Sequence, residues 1–281
     1  MVFLTFLGMF TNQYVPVWMK DNENKHMNEV IGQLSSLKSG VDMQIMASNQ
    51  MVASAPIYAP IKLHAEGVPV FASPTMGQLS FSGAKASGVI GASASLNYTY
   101  SNGRLDAASG ALTGGSLMFY GPNRYFVQQA VIYENGAIIL NQSDGEVVLA
   151  GISIKITPSG SSNMVLITYT SQIGDDKTVG GFGTKSVTTA VDFSSYTQVS
   201  KPLSPNNLTL RIVSEHTVAW SKYFKNVLGN SGVASSWWVN SSKYPVFPGT
   251  AYYSVTVDLN SVTSLEFTKA VASVALADIG V

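Results

Sequence analysis

Residues 124–142 read RYFVQQAVIYENGAIILNQ. Two β-rich arms flank Asn135-Gly136, a dipeptide that readily supplies the two positive φ angles of a type I′ hairpin turn. The stretch predicts an antiparallel hairpin, and its surroundings repeat the theme. Asp144-Gly145, between Asn141 and Val147, is a second candidate turn. Upstream, YAPIKLHA (58–65), QLSFSG (78–83), SLNYTY (95–100) and SLMFYG (116–121) are short strand-like runs bounded by Gly, Pro, Asn or Ser. Downstream, GISIKIT (151–157), NMVLITYT (163–170), KSVTTAVDF (185–193) and NLTLRIVS (207–214) continue the pattern, followed by SSWWVNSS (235–242) and YYSVTVDLN (252–260). The stretch LEFTKAVASVALA (265–277) reads as strand or helix, because its alanines suit both. Short strands with regular turn signals predict an antiparallel β-sandwich, jelly-roll or immunoglobulin-like. No fixed-period repeat or linker divides this region, so one head domain or two subdomains both fit. SGAKASGVIGASAS (82–95) reads as a loop or as a flat strand.

The period changes in two places. At 215–228, EHTVAWSKYFKNVL places Val218, Tyr223 or Phe224, and Val227 or Leu228 on one helical face. Ser214 is a candidate N-cap and Gly229 a candidate stop. Residues 1–50 also favour helix, with a kink or break expected near Pro16. Beyond Trp18, Met27, Val30, Ile31, Leu34 and Leu37 recur in steps of three and four. That spacing builds a stripe that should pack on a sheet. Asp21, Glu23, Lys25 and Glu29 are expected on the opposite, solvent face, and His26 with them. The domain reading is a helical assembly or anchor segment over 1–50 and a β head over 51–281.

The first ten residues, MVFLTFLGMF (1–10), carry no charge, and Thr5 is their only side chain able to hydrogen-bond. A helical span of a bilayer takes roughly 20 apolar residues, more than this run offers. It also lacks the basic region and small-residue cleavage site of a secretory signal. It is expected to be the visible end of a longer apolar helix. Val2, Phe3, Leu4, Phe6, Leu7, Met9 and Phe10 would form an exposed patch that needs a partner, and they are the candidate assembly core.

Composition narrows the function. The chain has 281 residues, 46% hydrophobic and only 11% charged, with 16 basic and 16 acidic side chains and zero net charge. A basic footprint for nucleic acid is missing. The surface must be built from Ser, Thr, Asn, Gln, Gly and Tyr, which repel weakly and suit dense packing with copies of the same chain. Absence of cysteine removes disulfides, thiolate metal sites and cysteine nucleophiles. Asn97, Asn141, Asn207 and Asn240 each begin an Asn-x-Ser/Thr sequon and are candidate glycosylation sites for an extracellular protein.

Chemical motifs are weak. His26, His64 and His216 are the only histidines, and none has a second within metal-ligand spacing. No Gly-x-Ser-x-Gly elbow is present. GDDKTVGGFGTKS (174–186) fails as a phosphate loop, because Thr184 separates Gly183 from Lys185. It fails as a dinucleotide loop, because Ser186 stands where the last Gly belongs, and it reads instead as a flexible surface loop. Asp21, Glu23 and Lys25 fail as a calcium loop, because His26 occupies the obligatory Gly position. Trp237-Trp238 should straddle a strand, one ring buried and one exposed. The sequence predicts no enzyme, no cofactor and no metal.

Two stretches carry a resemblance: NQYVPVWMKDNENKHMNEVIGQLSSLKSGVDMQ (12–44) and LTLRIVSEHTVAWSKYFKNVLGNSG (208–232), with PIKLHAEGVPVFASPTMGQLSFS (60–82) where a head domain would begin. Together they resemble archaeal type IV pilin-like and archaellin-like surface proteins. Members of that family have a cleaved leader, an apolar N-terminal helix and a β-rich head. The leader and the full-length apolar helix are departures here. The resemblance implies a structural subunit of an extracellular cell-surface filament, held in the membrane before assembly. Its partner would be itself, as a helical homopolymer, and its head would carry glycans. A membrane-anchored adhesin or sugar-binding module is the alternative.

Overall fold

A computed structural model describes residues 2–50, 52, 55–86, 95–100, 112–191, 197–233, 236–243, 245 and 251–278, with backbone only at 49, 85–86, 95–100, 112–113, 197–207 and 278. The helical N-terminus comprises α1 (Val2–Met9), a π turn (Phe10–Tyr14) and α2 (Val15–Asn49). Five strands follow: β1 (Ile57–Lys62), β2 (His64–Ala65), β3 (Thr75–Ser82), β4 (Lys85–Ala86) and β5 (Ser95–Tyr100). The middle of the chain forms β6 (Leu112–Thr113), β7 (Ser116–Gly121), β8 (Gln129–Glu134), β9 (Ala137–Gln142), β10 (Gly145–Ala150), β11 (Ser153–Ser159) and β12 (Ser162–Ile173). The last part contains β13 (Lys177–Gly181), β14 (Thr184–Val191), β15 (Thr197–Ser214), α3 (Thr217–Asn230), β16 (Trp237–Ser241) and β17 (Tyr253–Asp278). Among the described residues the protein is thus mainly β, with an N-terminal helix and one short additional helix.

An eight-stranded sheet runs β1-β14-β17-β12-β11, with β15 and β16 also on β17 and β5 on β15. A seven-stranded sheet runs β10-β9-β8-β7-β3-β13, with β2 on β3. Pairing departs from the all-antiparallel expectation where β12 and β17 run parallel, from Asn163 against Val262 to Ile173 against Ser273. The ambiguous 265–277 stretch lies wholly in β17. Sheet neighbours on both sides decide the matter that its alanines left open.

The opening hairpin forms as the sequence predicts. Asn135 and Gly136 take φ values of 52° and 84°, and Glu134 pairs with Ala137 across the turn. The second turn is displaced by one residue: Gly145 already pairs with Gln142, so Ser143 and Asp144 make the bend. The 174–186 stretch is not a loop. It supplies β13 to one sheet and β14 to the other, bending at Phe182-Gly183.

Pro16 does not break the N-terminal helix. The π turn precedes it, and the Val15 N–H donates to the Phe10 carbonyl five residues back. This wider turn makes room for the ring and leaves proline in the first turn of α2, where its missing donor costs least. The predicted stripe is the buried face of α2. Met27, Val30, Leu34 and Leu37 share a core with Ile61, Leu63, Phe119, Tyr133, Val187 and Leu276. A second core joins residues of both sheets to Trp220, Phe224 and Leu228 of α3. That helix runs one residue past Gly229, to Asn230, and its N-cap position is His216, which makes no side-chain cap bond, rather than Ser214.

Candidate assembly surface

Nothing on α1 is buried. Val2 is 86% exposed and Phe3 71%, and Leu4, Phe6 and Met9 are also exposed. Leu7 and Phe10 are half-buried. All seven candidate assembly residues therefore lie on one uncharged helical segment, whose outward positions are mainly apolar. Thr11 removes its hydroxyl from this surface by donating to the Leu7 carbonyl.

The foot of the segment is aromatic. Phe10 packs with Phe6, Tyr14 and Trp18 at ring-centroid distances of 6.4, 5.8 and 5.5 Å. It also meets Phe71 of the β2–β3 connection at 5.1 Å. Below it, Val15, Met19 and Val68 form a small separate core. Tyr14, Val17 and Trp18 remain exposed and extend the apolar surface onto α2. Sequence reasoning missed this extension, although the aromatic and Val residues of NQYVPVW (12–18) signal it.

Glu23 anchors the adjoining helix to the head, contrary to the expectation of a solvent-facing side chain. It is 0% exposed. Its Oε1 accepts from the Thr75 hydroxyl (2.6 Å) and the Arg124 N–H (3.0 Å), and its Oε2 from the N–H groups of Tyr125 (2.8 Å) and Phe126 (2.7 Å). Burial works against the charged carboxylate, but these four donors outweigh it and hold its pKa below the ordinary value. His26 is also buried rather than solvent-facing. Its Nε2 donates to the Lys62 carbonyl (2.8 Å), and burial lowers its pKa.

The other two histidines each lie beside an acid, His64 Nε2 being 3.7 Å from Glu66 Oε1. His64 Nδ1 accepts from the Gly183 N–H at 3.1 Å. His216 Nδ1 lies 3.0 Å from Glu146 Oε1. Close by, fully enclosed Glu134 accepts from Ser214 Oγ (2.5 Å) and Trp220 Nε1 (2.7 Å). This cluster ties α3 to both sheets. Burial raises the pKa of Glu134; burial opposes the charged form of His216, but Glu146 and the nearby acids raise its pKa overall. Among the described residues, no three metal-ligating side chains come together.

Of the sequons, Asn240 is exposed on β16 and Asn141 is half-buried on β9. Asn97 and Asn207 lie on β5 and β15, with side chains outside the described ones. Trp238 is exposed, while Trp237 packs against the core, as strand alternation requires. Among the described residues, no helix is long and apolar enough to cross a membrane. No family model, curated protein or solved structure matches the chain.

Proposed function

We propose that this protein is a structural subunit of an extracellular filament of the archaeal type IV pilus kind, polymerising through α1 with its β head outside. The observation that carries the reading is that α1 buries none of its side chains while presenting Val2, Phe3, Leu4, Phe6 and Met9. Together they offer roughly 600 Å² of apolar surface, at the upper end of the largest patch on an ordinary monomer. At about 25 cal/mol per Å², burying it contributes on the order of 15 kcal/mol before ordering costs. Heterologous contact repeated with a non-closing rotation yields a fibre. In this reading the two sheets form a sandwich head, membrane holds the subunit before assembly, and Asn240 is the better presented of the two sequon asparagines with described side chains. Catalysis plays no part.

Electron microscopy and sedimentation of the purified chain, beside a variant lacking residues 2–9, test it. The full chain should form fibres of constant width, and the truncated one should stay monomeric, losing only the helical circular dichroism of α1 and keeping the sheet signal. Fibres from the truncated chain would overturn the reading. Vesicle binding without fibres would favour the membrane-anchored adhesin instead.

A further inference from the structure

The connection between β2 and β3 closes with Val68-Pro69-Val70-Phe71. The N–H groups of Phe71 and Ala72 both donate to the Val68 carbonyl, at 3.0 and 2.9 Å. Proline in second place and a positive φ in third is the pattern of a type II turn, whose third residue is ordinarily Gly or Asn. Here it is Val70, at φ 70°. A β-branched residue in that region is a true outlier, because its Cβ substituents crowd the backbone. Burial does not compensate, since Val70 is 100% exposed. Its neighbour Phe71 packs on Phe10, so the turn stands against the foot of the exposed helix.

We propose that Val70 is an assembly contact: an apolar knob on the head, continuous with the α1 surface, that seats against a second copy of this chain. The proposal rests on the reading of α1 as the assembly helix and adds a contact borne by the head. Area is the first argument for a second copy. The exposed parts of Tyr14, Val17, Trp18, Val70 and Phe71 bring the patch to roughly 1,000 Å², above the roughly 800 Å² per partner of a stable interface. Charge is the second. No acidic or basic side chain occurs from Val2 to Met19, Lys20 is offset by Asp21, and Glu66, beside the Val70 turn, is paired with Lys62 at 2.8 Å. Such a surface lacks the basic face that draws interfacial helices to anionic lipid. It matches an equally uncharged patch, which another copy presents. Strain is the third: an exposed residue that disfavours its own turn is expected where function opposes stability.

The test compares the full chain with Val70→Gly and Val70→Asn, the two residues the turn prefers. Both variants should melt at or above the wild-type temperature, while the critical concentration for polymerisation rises about tenfold. Wild-type critical concentrations in both variants overturn the proposal and leave the α1 reading intact. A wild-type chain that forms no polymer, whether or not it binds phosphatidylcholine vesicles, overturns both. A lower melting temperature in Val70→Gly removes the strain on which the proposal stands and overturns it too.

Discussion

The two halves of the N-terminal helix invert the usual relation between polarity and burial. Uncharged α1 buries nothing, whereas α2 carries every charged residue of the helix and buries Glu23, His26 and Gln44 among its aliphatic contacts. The difference lies in available partners. Glu23 finds four donors, His26 a carbonyl, and Gln44 Nε2 the Ala55 carbonyl at 2.7 Å. A buried polar group whose hydrogen bonds are met, as at Glu23, costs little, although Gln44 Oε1 stays without a partner; an apolar helix with no facing surface has nowhere to go. The docked half therefore finds most of its partners within one chain, and the free half finds almost none there.

Removing Glu23 should disturb this contrast most. Glu23→Ala leaves the N–H groups of Arg124, Tyr125 and Phe126 and the Thr75 hydroxyl without their acceptor. The expected loss is about 4 kcal/mol of unfolding free energy, read by urea titration. For comparison, Leu34→Ala in the same stripe should cost about 3 kcal/mol through a cavity. A Glu23→Ala loss under about 1 kcal/mol would mean that the aliphatic stripe alone docks α2, and the contrast would reduce to hydrophobic pattern.

Pattern was what the sequence displayed well. The Met27-to-Leu37 stripe was legible because helical period and burial coincide there. Asn135-Gly136 was legible because the turn chemistry is local. Glu23 was not, because three of its four donors lie about a hundred residues away on the connection between β7 and β8 and the fourth, Thr75, starts β3, so no local spacing marks it. The same reason hid the parallel β12–β17 pairing, which depends on strands far apart in the chain. The 174–186 stretch looked loop-like because its glycines and charges mask two strands whose side chains are largely exposed or half-buried. For the surface itself, the apolar run of α1 was plain in the sequence. The Val70 turn was not, because Val-Pro-Val-Phe reads as an ordinary apolar segment until its φ angle is known.

A second, smaller test uses acid. Glu23 has a folded-state pKa below its ordinary 4.5, so its contribution is complete above pH 4.5 and is lost as pH falls through the depressed value. Glu134, at the foot of α3, has the opposite sign. Burial raises its pKa, so its contribution is complete below pH 4.5 and is lost as pH rises through the raised value. Unfolding free energies measured from about pH 3 to pH 8 should therefore respond differently to two substitutions. Glu23→Gln should flatten the acid limb, and Glu134→Gln the limb toward neutral pH. If Glu23→Gln left the acid limb unchanged, α2 would be held by something other than the ionised carboxylate.

The smallest expected effect bears on whether the outer face of α2 is idle. Gly32 lies on that face inside a helix, and a Cβ there meets open space. Gly32→Ala should stabilise the protein by about 0.5–1 kcal/mol through helix propensity and a less flexible unfolded chain. For a chain of this size that raises the thermal midpoint by about 2 °C. If α1 and its foot are the whole assembly surface, polymerisation should not change. A gain in stability accompanied by a loss of assembly would carry the working surface down α2, into the hollow where Gly32, Gln33 and Ser36 face Ile57 to Pro60. The two halves of the helix would then differ in what they bury within the subunit, but not in whether they meet a neighbour.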